Sequence, residues 1–520
     1  MEKTAQAKPL LYETAVGAAA ARIRKYRIPL TSSFVFAFLA YMFAFTNKLI
    51  NHDEAGQLFD KGATTTSGRW GIELLRYIFP DFSMPWIYGI ITICLMAVSI
   101  CLIIDLFHIQ KGFLQGLLAG GIIVFPSLIG VFSYMFTSSS YAVSFLLAVL
   151  AVWLIQKPGK HYILPALGCM ILSLGIYQSY LSIAASLLVL MLIQQLLEGE
   201  DFLPVLKKGI FYVLFLLVSL AVYFVGTQII LRLAGTTFNS YASENVTFSI
   251  SGIARNILVA YVKFSKVFEH KNHWLIPNDF SHLVYMLLLV SIAVLLLVWL
   301  LRQKQKRLLP LALLAVLLLV LPLAINCMYL ITSPESIHAL VLYSFIAVYI
   351  LAVILCDHLL PQEDGCKYTR RMCRAAGNAV ALALSAIIIV NTYVANAAFL
   401  NLHLRYENAY AFYSSLMADV KMMPEFTEGT KLAVIGNWDS PDFYHEEIAF
   451  AQRITGTAGF YPDSYSKEFF LEFYLGFDLP FASEEEIAEI SASAEFAEMS
   501  VYPYYGSLKA FDNIIVVKLS

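Results

Sequence analysis

Apolar residues run in blocks of about 20 positions through the first four hundred residues, broken by short polar turns. A helix needs about 20 such residues to cross roughly 30 Å of hydrocarbon. The blocks predict eleven spans, at 29–48, 86–107, 113–132, 139–156, 162–176, 178–197, 208–232, 282–301, 308–327, 338–356 and 376–398. Beyond 398 the pattern changes. Short strand-like runs, Lys431–Gly436 and Ile514–Leu519, are set among polar stretches. The expected fold is an α-helical polytopic membrane protein with a small α/β C-terminal domain. Its parts are an N-terminal segment 1–28, a transmembrane domain 29–398 and a C-terminal domain 399–520.

Composition sharpens this reading. Hydrophobic residues make up 59% of the 520 and charged residues 14%, against about 25% charged in an ordinary globular protein. A soluble chain of this size could not hide so much apolar surface. A disordered chain, a collagen and a disulfide-rich secreted module are excluded as well. The net charge is −2 and no long Lys/Arg run exists, which argues against nucleic-acid binding. The seven cysteines form neither a disulfide framework nor a zinc pattern, and no metal site is expected.

Charge also sets the expected orientation. Residues 1–400 carry 28 basic and 18 acidic side chains, and residues 401–520 carry 7 and 19. If the N-terminus is cytoplasmic, the inner loops include 1–28 with six Lys/Arg, 302–307 with four and 357–375 with four. All the inner loops together hold 19 (with Lys208), whereas the outer connections hold eight, four each in 49–85 (with Lys48) and 233–281, and 133–137 and 328–337 have none. Positive residues stay inside, so an odd number of spans puts the acidic tail outside. Leu11–Arg27 reads as an amphipathic helix on the inner leaflet, or as a solvated charged leader.

Two outer loops are long, 49–85 and 233–281, and long loops with apolar content are usually functional. The first opens with Asn51-His52-Asp53-Glu54, two carboxylates at the end of a span. Partial desolvation there suits a carboxylate to accept a proton, although Asn and Asp also cap helices. Next comes the turn Lys61-Gly62-Ala63-Thr64-Thr65-Thr66-Ser67-Gly68-Arg69-Trp70-Gly71. Its cations and hydroxyls suit an anionic group, and Trp70 also suits an interfacial anchor. The second loop carries Arg255, Lys263, Lys266, His270, Lys271, His273 and Trp274 on a helical, partly amphipathic stretch. Cations at the membrane edge suit a lipid phosphate.

The Asn51–Glu54 run, the Ser67-Gly68-Arg69-Trp70-Gly71 turn and Tyr177-Gln178-Ser179-Tyr180 resemble the Gtr-type glucosyltransferases of bacteria and phages. So does the ending Tyr502-Pro503-Tyr504-Tyr505-Gly506-Ser507 with Ile514–Leu519. More broadly the chain resembles the GT-C superfamily, whose members carry an essential acid in the first outer loop. The Asp53-Glu54 pair is also similar to the acidic pair of protein mannosyltransferases. The resemblance implies an inverting hexosyltransferase in the bacterial cytoplasmic membrane. It would move glucose from a polyprenyl-phosphate donor to a surface glycan, without a cofactor. It implies Asp53 as base with Glu54 as fallback, and Arg69, Arg255 and Lys263 as candidates for the donor phosphate. His52, Lys61, Trp70, Tyr177 and Gln178 are the implied substrate contacts. Trp438, Tyr444, Tyr461, Tyr465 and Tyr504 would stack on sugars or form core. The rival readings are a lipid-linked glycan flippase or transporter, and a polysaccharide polymerase.

Overall fold

A computed structural model describes residue 17 and residues 20–60, 62–239, 252–268, 275–303, 308–334, 337–360, 367–427, 429–438, 454, 456–457 and 466–520. The helices over the first half are α1 (Arg27–Thr46), α2 (His52–Gly56), α3 (Gly71–Leu75), α4 (Pro85–Leu106), α5 (Gly112–Ile123), α6 (Pro126–Ser133), α7 (Met135–Ile155), α8 (Ile163–Ile176) and α9 (Leu181–Leu197). Then follow α10 (Phe202–Leu233), α11 (Ile253–Lys266), α12 (Asp279–Arg302), α13 (Leu308–Ile325), α14 (Ile346–Leu359), α15 (Lys367–Met422) and α16 (Glu484–Ser491). Among the described residues nine helices are long and apolar enough to cross a bilayer. The pair α5–α6, bent by 44°, makes a tenth span if it is one crossing. The eleventh expected span, the fifth in order, falls on the shorter apolar helix α8. The protein is a polytopic helical membrane protein. The first part of the expected leader Leu11–Arg27 lies outside the described residues, as do His270, Lys271, His273 and Trp274.

The bend between α5 and α6 has a local cause. Pro126 opens α6 and has no N–H to give back to the preceding turn. The exposed carbonyls are satisfied from other helices, as apolar surroundings require. Tyr343 donates its hydroxyl to the carbonyl of Ile122 at 2.8 Å, and Tyr41 to that of Ile123 at 3.0 Å. The bend carries the end of α6 to Asn51, whose amide donates to the Ser133 carbonyl at 2.8 Å. A second break separates α8 from α9. Tyr177 is extended (φ −151°, ψ 105°) and only the short turn Gln178–Tyr180 intervenes.

The 56-residue helix α15 is about 84 Å long at 1.5 Å per residue, far beyond the hydrocarbon thickness. Its first part packs on α12 and α1. Its last part belongs to a second core with the small sheet. That sheet has strands β1 (Lys431–Ile435), β2 (Leu508–Phe511) and β3 (Ile514–Lys518) in the order β1-β3-β2. The β1–β3 pair is parallel, with Lys431 opposite Ile514, and β2–β3 is antiparallel. Central β3 is buried on both faces, which is why Ile514–Val517 is an unbroken apolar run. Ile515 and Val517 face α15, and Val516 faces a smaller core with Ile490 of α16 and Phe496. A reciprocal cap between Ser483 and Glu486 starts α16. Trp438 stacks on Phe412 at 4.3 Å and 12° and is core, whereas Tyr504 is exposed. Tyr444, Tyr461 and Tyr465 lie outside the described residues.

Candidate active site

One cavity of about 490 Å³ opens where the first loop meets the α6–α7 junction, the α8–α9 break and the entry to the Ala339 helix. Its size is in the range of small-ligand sites. His52, Asp53, Arg69, Tyr141, Tyr177 and His338 are among its walls. The first and second of the three sequence motifs therefore meet the third in space, although more than a hundred residues separate them along the chain.

The two carboxylates part company here. Asn51 caps α2 by accepting from the Glu54 N–H at 2.9 Å. That fixes the one-turn helix so that Asp53 lines the cavity while Glu54 turns inward. The Asp53 side chain is 39% exposed and that of Glu54 is 0% exposed. Glu54 takes hydrogen bonds from the Lys48 ammonium and the Ser83 hydroxyl, and its other oxygen accepts from the Phe136 N–H at 3.4 Å. It is a buried anchor. His52 Nε2 lies 3.6 Å from Asp53 Oδ1, a contact that becomes an ion pair when the ring is protonated.

Arg69 is held by aromatic residues. Its guanidinium donates to the Tyr141 hydroxyl at 3.0 Å and sits 5.6 Å from the centre of the Tyr177 ring. Tyr141 and Tyr177 are themselves stacked at 4.3 Å. The turn that carries Arg69 is docked from behind. Trp70 Nε1 donates to Thr227 at 3.0 Å. Gln178 donates to Tyr223 at 2.8 Å and to the Ser67 carbonyl at 3.3 Å. The docking needs bare backbone, because a Cβ on Gly175 would stand 2.5 Å from the Trp70 ring and one on Gly71 2.7 Å from Ile176. Trp70 and Gln178 hold the wall and do not form it.

His338 precedes the turn Ala339–Phe345 and enters the cavity from far along the chain. Its ring is part of the cavity wall that also carries Arg69. Sequence reasoning passed over His338, Tyr134, Phe136 and Tyr141. The polar run Thr137–Ser140 at the head of an apolar helix was a readable signal for Tyr141, and nothing local marked His338. Lys61 lies outside the described residues. Arg255 and Lys263 are exposed on α11 and line no part of this cavity. Among the described residues no three His, Cys, Asp or Glu side chains gather as metal ligands would.

The arrangement offers a half-exposed carboxylate, an oriented guanidinium and aromatic faces in one pocket. Such a set can take a proton, hold an anion and stack on a sugar ring. The buried carboxylate has a separate consequence. Glu54→Gln removes one charge of a pair whose Lys48 partner keeps some water contact, so the cost falls below the roughly 3–5 kcal/mol of a fully buried pair. The melting midpoint of the detergent-extracted protein should drop, by an amount equivalent to about 2 kcal/mol. An unchanged midpoint would remove Glu54 as an anchor.

No curated protein and no solved structure matches the chain. A family model described as glucosyl transferase GtrII matches residues 42–355, which takes in all three motifs that build the cavity. Since that match covers more than half of the 520 residues, the chain belongs to the GtrII glucosyltransferase family.

Proposed function

We propose that this glucosyltransferase moves glucose from a polyprenyl-phosphate donor to a surface glycan at the outer face of the membrane, by a GT-C-type inverting displacement. The observation that carries the reading is that Asp53 and Arg69 line the same cavity at the loop end of the bundle. Asp53 is also the one carboxylate among the described lining residues. A single displacement needs one base and no second acid.

The acceptor hydroxyl attacks the anomeric carbon and its proton passes to the Asp53 carboxylate. The new bond forms as the bond from the anomeric carbon to the phosphate oxygen breaks. The lipid phosphate departs as an anion towards Arg69, where a fixed positive charge stabilises it. Tyr141 and Tyr177 keep that guanidinium aimed. Tyr134 and Phe136, which line the cavity with Asp53, supply faces for the acceptor sugar.

Vesicles carrying the purified protein and glucosyl polyprenyl phosphate provide the test. A surface-glycan acceptor should gain one hexose in mass as free polyprenyl phosphate accumulates. Movement of the lipid-linked sugar across the vesicle without bond change would favour a flippase, and growth by many units a polymerase. A reporter that works only in the cytoplasm, fused after Ser520, should be silent. A strong signal would put the tail on the inner side and overturn the outer-face assignment.

A further inference from the structure

The one-turn helix α2 carries Asp53, yet five residues cannot hold a helix in place by themselves. Isolated helices below about 12–15 residues are marginal in water, so the angle of α2 is set by what packs on it. Leu49 joins the membrane core, but the nearer apolar residues on either side of Asp53 do not. Ile50 and Ala55, both fully buried, belong to the cluster formed by Tyr413 and Leu416 of α15, Leu432 of β1, Ile515 and Val517 of β3, and Phe470 and Leu471. That cluster is the core of the C-terminal unit.

Two further contacts are made on α2, one by the segment around Gly456, whose neighbour Ile454 is buried in the membrane core, and one by the C-terminal unit. Gly456 lies against the cap of α2, so close that a Cβ there would stand 2.6 Å from Ser133 and 3.2 Å from the Asn51 amide. Its φ of +82° also suits glycine. The neighbouring Thr457 carbonyl accepts from Asn401 of α15 at 2.9 Å. Tyr474, in the turn Phe470–Tyr474 that packs on α2, sits near the buried Glu54. Burial, then the charge of Glu54, pushes its phenol up.

We propose that the C-terminal unit is the positioning element for Asp53, holding α2 at the angle that presents the carboxylate to the cavity. The inference rests on the reading of Asp53 as the base. The unit then acts on the chemical step, and is more than a tether for the acceptor. Its residues do not touch the reacting atoms. They act through Ile50 and Ala55.

The test uses the full chain in membranes, with Phe470→Leu and Leu471→Ala, both in the core of the C-terminal unit, as variants. Both sites lie outside the cavity lining. Misaiming a base by about 1 Å can cost up to about a hundredfold, so kcat should fall by about tenfold or more in each variant. The KM values for donor and acceptor should stay within about twofold. A raised acceptor KM at unchanged kcat would make the unit an acceptor-binding module and overturn the proposal, as would unchanged kinetics. Should a variant fail to insert, amide exchange on the unaltered protein decides. The Ala55 and Gln57 amides should be protected to the same degree as those of Val516 and Val517, as members of one cooperative unit. Markedly faster exchange at 55 and 57 would sink the idea. Inactive Asp53→Asn beside normal Phe470→Leu would reject the positioning role alone, whereas normal Asp53→Asn would reject the underlying reading.

Discussion

Replacing Arg69 by Lys should lower the rate of sugar transfer by about 10²- to 10³-fold, the usual cost of losing one preorganised donor to a developing anion. The substitution keeps the positive charge, so a site that needs only charge would tolerate it. The geometry argues that charge is not enough. Arg69 sits over the Tyr177 ring while one of its N–H groups donates to Tyr141, and that anchor sets the direction of the planar fork. A lysine ammonium has neither the plane to lie on Tyr177 nor the fork to bridge two phosphate oxygens. Tyr141→Phe, which releases the anchor and keeps the cation, should show a smaller loss of the same kind. Initial rates over a range of donor concentrations measure both effects. The protein should insert normally, because the docking of the turn depends on Trp70, Gly71 and Gln178 and not on the guanidinium. Unchanged turnover and donor affinity would remove Arg69 from the site.

Much of this architecture is legible in the residues, because a bilayer imposes its thickness on the sequence. Nine of the eleven expected spans fall on helices long and apolar enough to cross, the third falls on a bent pair and the fifth on a shorter apolar helix, and both expected strands are present. Where the reading fell short, the deciding contacts are distant. Asp53 and Glu54 are neighbours about 100° apart on a helix, so one was bound to turn away. Which one depends on Ser83 and Phe136, 29 and 82 positions downstream of Glu54. His338 shares the cavity with Arg69 although most of the membrane domain lies between them along the chain. Arg255 and Lys263 are as basic as Arg69, and only the packing of α11 away from the cavity separates them from it. The third span looked like one continuous block, yet Pro126 within it breaks the helix and brings Ser133 to Asn51. Helix α15 runs through position 399 without interruption. No Gly or Pro lies between Ala397 and Met422, so nothing in that stretch asks the helix to stop at the membrane surface.

Asp53→Asn should cost about 10²–10⁴ in kcat, the range expected when a general base is removed. The substitution is nearly isosteric. It leaves the backbone of α2 with the Asn51 cap and the Gln57 N–H bond to the carbonyl of residue 53 at 3.0 Å. Among the described residues its charged neighbour is His52, itself about half exposed, so the substitution breaks no buried pair there. Inserted protein and melting midpoint should therefore match the parent, and the whole effect should appear in turnover. Glu54→Gln should show the opposite split. Its carboxylate is spent on Lys48 and Ser83 and does not line the cavity, so turnover per folded molecule should fall less while stability falls more. The contrast between two adjacent carboxylates is the sharpest test of the site. If Glu54→Gln abolished turnover in stable protein while Asp53→Asn kept it, the base would have to be the buried carboxylate, and α2 would have to turn by about one residue on substrate binding. If both variants kept normal transfer at equal protein levels, the cavity would not be the reaction centre, and the carboxylates would be structural features of the loop.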